Sequence, residues 1–168
     1  MAIVHLPGTM VSFKCTDALD DKGYVLKLND DGTVSLCGSY EVPFGVAFKD
    51  TKNPITETPE ANRNVPVIVS GVAYVQYEIG PGEDIVPGCL VGMKAAHSPG
   101  RVTRFVDGDT VTAWADAYDA TNAETITDEI ITVIREYKYV VGVALEKVDA
   151  PAEGTKTGMV KVLLLKVM

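Results

Sequence analysis

Val42-Pro43-Phe44-Gly45-Val46-Ala47-Phe48-Lys49-Asp50 decides the reading of this chain, because it returns in altered form as Tyr139-Val140-Val141-Gly142-Val143-Ala144-Leu145-Glu146-Lys147. Each copy is a short apolar run centred on Gly-Val-Ala. Each is preceded by a Gly-led strand and a turn: Gly23-Tyr24-Val25-Leu26-Lys27-Leu28 with Asp30-Asp31-Gly32, and Gly88-Cys89-Leu90-Val91-Gly92-Met93 with Ser98-Pro99-Gly100. Each is followed by a polar segment and then a β-rich run, Val65–Val69 or Met159–Leu165. Recurrence of this kind marks a duplicated structural unit. The β-branched content and the glycine turns make that unit a set of short strands. The chain therefore reads as all-β: two related small β-barrel or β-sandwich units. One or two short helices at most are expected, in Asp17–Lys22 or Asp116–Glu129.

Working outward, residues 1–11 form an N-terminal arm, 12–77 the first β-unit and 78–168 the second. Ser12–Thr16 alternates as a strand, and Asn29-Asp30-Asp31-Gly32 is a hairpin turn in which Gly supplies positive φ. Residues 51–64 read as a loop, and Val65–Val69 and Val72–Tyr77 as strands around Ser70-Gly71. The stretch Gly80–Gly88 takes the place in the second unit that Asp17–Gly23 holds in the first. An insertion at about 106–138 interrupts the second unit and carries the only tryptophan, Trp114. Within it Thr110–Trp114 reads as a strand, and Ile130–Ile134 as a strand or as part of a helix beginning near Thr127. The final run, Val160–Val167, breaks strict alternation, which places it buried on both faces or under an interface. The arm offers Ile3, Val4 and Leu6 either to the sheet or to a neighbour.

The chain has 168 residues and a net charge of −8. No Lys/Arg cluster offers the basic stripe that replaces nucleic-acid counterions, so nucleic acid is not an expected partner. No apolar stretch reaches the length of a membrane span, and the N-terminus has no secretory pattern. The three cysteines, Cys15, Cys37 and Cys89, are widely spaced and form no CxxC pair. They read as buried free thiols of a protein made in a reducing compartment. Halves this small are each near the lower limit for an adequate core, so they are expected to pack on each other or on other subunits.

Residue patterns that carry chemistry are sparse in this chain. His5 and His97 show no metal-ligand spacing. A calcium loop ending its first half at Gly32 would have a cation, Lys27, at its first ligand position and no carboxylate at its last. Gly80-Pro81-Gly82 lacks the third glycine and the following helix of a dinucleotide fingerprint, and Ser70 lacks a nucleophile elbow. No catalytic, metal or cofactor site is expected, and the protein is not expected to be an enzyme.

The doubled set, Gly23–Leu28, Asp31-Gly32-Thr33-Val34, Gly45-Val46-Ala47-Phe48 and Val65–Val69, with its second copy at Gly88–Met93, Pro99-Gly100-Arg101-Val102, Gly142-Val143-Ala144-Leu145 and Val160–Leu164, resembles the small β-barrel capsid decoration, or cement, proteins of tailed bacteriophages and related viruses. The likeness covers most of residues 12–167, and the insertion is its departure. It implies a non-catalytic virion protein, made in the host cytoplasm and bound to the outer capsid surface. It also implies the major capsid protein as partner and self-association, commonly as a homotrimer. Contacts are expected from segments that the repeat does not need: Ile3, Val4, His5 and Leu6 of the arm, and Trp114 and Tyr118 of the insertion, the aromatics being residue types enriched at hot spots. Two other readings are a non-catalytic ligand- or glycan-binding module, with Trp114, Tyr118 and Tyr137 around a pocket, and a small hydrolase or accessory enzyme domain.

Overall fold

The computed structural model describes residues 8–93, 98–105 and 137–165. The described chain is all-β. Strands β1 (Met10–Cys15), β2 (Val25–Leu28), β3 (Val34–Leu36), β4 (Gly45–Ala47) and β5 (Arg63–Ile68) close into a barrel in the order β1–β3–β2–β4–β5. Strands β6 (Gly71–Ile79), β7 (Leu90–Gly92), β8 (Thr103–Arg104), β9 (Val140–Ala144) and β10 (Lys156–Leu164) form a second sheet in the order β6–β10–β9–β7–β8. The two ends of that sheet, β6 and β8, meet at a parallel bridge, Tyr77 with Val102. The matching seam of the barrel is the parallel pair Cys15–Val34 between β1 and β3.

The duplication holds strand for strand, with β1 to β5 matching β6 to β10 in pairing order. It also holds at single hydrogen bonds. Gly23 N–H donates to Ala47 O at 2.8 Å, and Gly88 N–H to Ala144 O at 2.8 Å. Ala47 N–H donates to Tyr24 O, and Ala144 N–H to Cys89 O. Phe48 N–H donates to Pro66 O, and Leu145 N–H to Lys161 O. Leu19 and Ile85, both buried, plug equivalent ends: Thr51 N–H reaches Leu19 O, and Val148 N–H reaches Ile85 O.

The central glycine of each Gly-Val-Ala has one job. A Cβ on Gly45 would lie 2.6 Å from Val67 Cγ1 and 2.7 Å from Ile68 O. A Cβ on Gly142 would lie 2.6 Å from Val162 Cγ1 and 2.2 Å from Leu163 O. Val67 matches Val162 and Ile68 matches Leu163 in the two registers. The repeated motif therefore records one close backbone approach, made twice.

The structure differs from the sequence reading in four places. β1 begins at Met10, inside the expected arm 1–11, because Met10 and Val11 pair with Ile68 and Val67. β6 was expected to close the first unit at residue 77, yet it pairs with β10 along its whole length, so the change of sheet falls between Ile68 and Gly71. Asp17–Lys22, one of the two stretches where a short helix was expected, is irregular chain with bends. Here Thr51 Oγ1 accepts the Leu19 N–H at 2.8 Å and fixes the connection without helical bonds. Finally, β5 starts at Arg63, inside the expected loop 51–64, because Asn64 and Arg63 pair with Lys14 and Cys15. The strands expected at Thr110–Trp114 and Ile130–Ile134 and the helix option in Asp116–Glu129 lie outside the described residues.

The two units share a core. Inside the barrel, Cys15, Leu19, Leu26, Val34, Val65 and Val67 pack together. Val25, Val46 and Ile68 point out of the barrel and join the apolar cluster of the second sheet, with Val75, Val91, Val102 and Val162. Backbone bonds stitch the same joint. Gly100 accepts the Val25 N–H at 2.8 Å and donates to Cys37 O at 2.7 Å, and Gln76 N–H donates to Gly23 O at 2.8 Å. Arg101 lies 5.9 Å from the Tyr24 ring centroid and 3.3 Å from Glu78.

The loop leading into β4 is held by charge. Glu41 accepts from Lys27 Nζ and from Gly38 N–H, and these bonds hold its carboxyl below the usual carboxylate range, the lysine contact first. A depressed folded value contributes stability that is complete above the unfolded pKa of about 4.3 and is lost as pH falls through the folded value. The Glu41 and Lys27 side chains are 37% and 32% exposed, so solvent screening limits the pair to about 0.5–1 kcal/mol. Glu41→Gln is expected to melt slightly lower than the parent at pH 7 and to converge with it by about pH 3. Parallel melting curves across that range would refute the assignment.

Candidate functional site

No group of three or more His, Cys, Asp or Glu side chains is placed to hold a metal ion among the described residues. The cysteines are free thiols; Cys15 and Cys37 are buried as expected, whereas Cys89 is only half-buried. Burial pushes the Cys37 thiol up to about 12 and that of Cys15 upward as well. Both thiols therefore stay protonated at neutral pH, the inert state for a buried Cys. The Tyr24 hydroxyl donates to Asp20 at 2.7 Å, and burial raises its pKa first, with the Asp20 bond second. This group lies at the joint between the units and serves that joint.

Ile3, Val4, His5, Leu6, Trp114 and Tyr118 all lie outside the described residues. The structure shows where their segments are rooted. Thr9 N–H donates to Ser70 Oγ at 3.1 Å, and Val69 N–H donates to Thr9 O at 2.9 Å. Beside that root runs an apolar groove of about 320 Å³ between the two units, lined by Val11, Phe44, Val69, Val140 and Leu164 among others. Phe105, just before the insertion, and Tyr137, near its end, have ring centroids 5.9 Å apart.

The described residues expose a different surface. On the outer face of the second sheet, Lys161 pairs with Tyr74 across β10 and β6, with Met159 and Leu163 two residues to either side. Tyr74 is 50% exposed, Leu163 41% and Met159 37%. Lys161 Nζ lies 5.5 Å over the Tyr74 ring and 3.8 Å from Glu146. Phe48 of the barrel comes up to the same face, and a cleft of about 130 Å³ runs between Phe48, Lys22, Tyr74 and Lys161. The final run Val160–Val167, expected to be buried on both faces or under an interface, leaves Leu163 exposed, and the sequence named none of Phe48, Tyr74 and Met159 as contact residues. The signal was present: the apolar run that breaks alternation in the last strand places Leu163 outward, where water would select a polar residue.

A second exposed group is aromatic. Tyr40 has φ of 59°, an unusual conformation for a bulky residue. It is held there by its N–H donating to Met93 O at 2.9 Å, and its exposed ring meets Tyr139 edge-on at 5.8 Å.

Compared with protein-family models, with curated proteins and with solved structures, the chain matches none.

Proposed function

We propose that this chain is a virion structural protein that binds the outer surface of an assembled capsid and stabilises it. The observation that carries the reading is the exposed apolar group Phe48, Tyr74 and Met159, set on two β-units fused into one block by a shared core. An apolar patch on a stiff scaffold favours burial against a partner over a chemical step. A protein that only adds contact area between capsid subunits needs stiffness and a sticky face, and no reacting group. The resemblance of the doubled strands to phage cement proteins points the same way. On this reading the partners are the major capsid protein and further copies of this chain, as a homotrimer, with no nucleic acid, membrane or cofactor involved.

The test is sedimentation with empty capsids of the same virus. The parent should pellet with capsids and raise their melting temperature. Tyr74→Glu with Met159→Glu should lose at least tenfold in affinity while keeping a native β spectrum. Deleting residues 2–7, and separately Trp114→Ala, tests the arm and the insertion as further contacts. A parent protein that stays in the supernatant at saturating capsid overturns the proposal. The exposed Tyr40–Tyr139 pair favours a second reading, a non-catalytic glycan- or ligand-binding module. Saturable binding of a soluble oligosaccharide, lost in Tyr40→Ala, would establish that reading instead.

A further inference from the structure

The duplication makes the two outer faces directly comparable. In the barrel, Val25, Val46 and Ile68 form one outward cross-strand row. The second unit covers that row, leaving Val25 and Val46 fully buried and Ile68 4% exposed. The matching row of the second unit is Leu90, Val143 and Leu163, in the same register. It is equally apolar, but Leu163 is 41% exposed and Leu90 and Val143 are only half-buried. The backbone repeats the contrast. Val25 N–H donates to Gly100 O and Gly23 O accepts from Gln76 N–H across the joint. Among the described residues, neither the equivalent Leu90 N–H nor the equivalent Gly88 O bonds to anything outside its own sheet.

The other half of the joint also has an unused copy. The second unit inserts Gly100, with φ of 75°, against Leu36 and Tyr24 of the barrel. Its counterpart in the barrel is Gly32, with φ of 79°, and a Cβ there would meet nothing within 4 Å. The register pairs Gln76 with Lys14 in the same way. Among the described residues, each chain thus carries one joint already made, plus one uncovered socket on its second unit and one unused plug on its first.

We propose that the free socket of one chain takes the free plug of a second copy, remaking between chains the joint that already exists within each. The Gly32 turn then lies over Leu90, Val143 and Leu163, with Leu90 N–H donating to Gly32 O and Lys14 N–H donating to Gly88 O. Charge fits this docking. The turn brings Asp30 and Asp31 where the internal joint has Ser98 and Pro99, and the socket carries Arg104 where the barrel has Leu36. The contact is head-to-tail, so it closes a ring or grows a filament and does not stop at a twofold dimer. If the assembly is the homotrimer of the decoration reading, six similar β-units surround its axis. The docking itself does not rest on that reading, since it needs no capsid.

The experiment uses the full chain in sedimentation velocity without capsids. The parent should form a species larger than a dimer at high concentration. Leu163→Arg removes the socket and Asp30→Arg reverses charge on the plug; both sites are exposed, and each variant should keep the parent's β spectrum and sediment as a monomer. Mixed in equal amounts, the two should form a complex of two chains and no larger, because only one intact socket meets one intact plug. A parent that stays monomeric at about millimolar concentration, a Leu163→Arg variant that assembles like the parent, or a mixture that stays monomeric would each overturn the proposal. Capsid binding, measured separately, can fail or succeed without altering these outcomes.

Discussion

Gly142→Ala should lower the melting temperature by roughly 10 °C. The new Cβ would sit 2.2 Å from Leu163 O and 2.6 Å from Val162 Cγ1. The first of these is backbone, held in the β10 ladder on both sides by β6 and β9, so it cannot yield as a side-chain tip would. Overpacking of this kind costs about 3 kcal/mol, and for a chain of this size each kcal/mol moves the midpoint by about 2–4 °C. Gly45→Ala places a Cβ 2.7 Å from Ile68 O and should cost somewhat less. Gly82→Ala is the control: its Cβ meets nothing within 4 Å, so only its φ of 80° opposes alanine. That cost is about 1 kcal/mol. A Gly142→Ala protein that melts within 2 °C of the parent would show that β9 and β10 do not approach as described.

Gly100→Ala should be nearly as costly and should fail in a different place. It combines a left-handed backbone, φ of 75°, with a Cβ 2.5 Å from Leu36 Cδ2 and 2.9 Å from Tyr24 Cδ1. Leu36 can swing aside, but Tyr24 is tied at its hydroxyl to Asp20. The sum is about 2–4 kcal/mol. Since Gly100 bonds both Val25 and Cys37 of the barrel, the loss should appear first at the joint. Amide exchange at Val25 should accelerate while exchange at Leu26, inside the barrel, changes little. Gly32→Ala, the same change at the equivalent unused position, isolates the backbone share at about 1 kcal/mol. Equal destabilisation by the two substitutions would remove Gly100 from the joint.

Much of the architecture was legible in residue order. Gly45-Val46-Ala47 and Gly142-Val143-Ala144 stand out because a close strand approach tolerates only glycine. A constraint imposed twice leaves the same residue twice. The turns at Gly32 and Gly100 were legible for a similar local reason, a positive φ. The placement of β6 was not legible. Gly71–Ile79 follows β5 after Ser70 and has the composition of a hairpin partner for it. Strand propensity says that such a segment pairs, not with which neighbour, and β10, far along the chain, is its actual partner.

The contact surface divides in the same way. Ile68 and Leu163 are equivalent in sequence pattern and in register, both apolar and both following an alternating run. Nothing local separates them. One is buried because the second unit lies over the barrel, and the other is exposed because nothing within the described chain lies over it. Residue order by itself determined the all-β class, the duplication, and the glycines that let strands meet. Only the tertiary structure decided which sheet β6 joins and which of two matching apolar rows is left uncovered, because both depend on contacts between segments far apart in the chain.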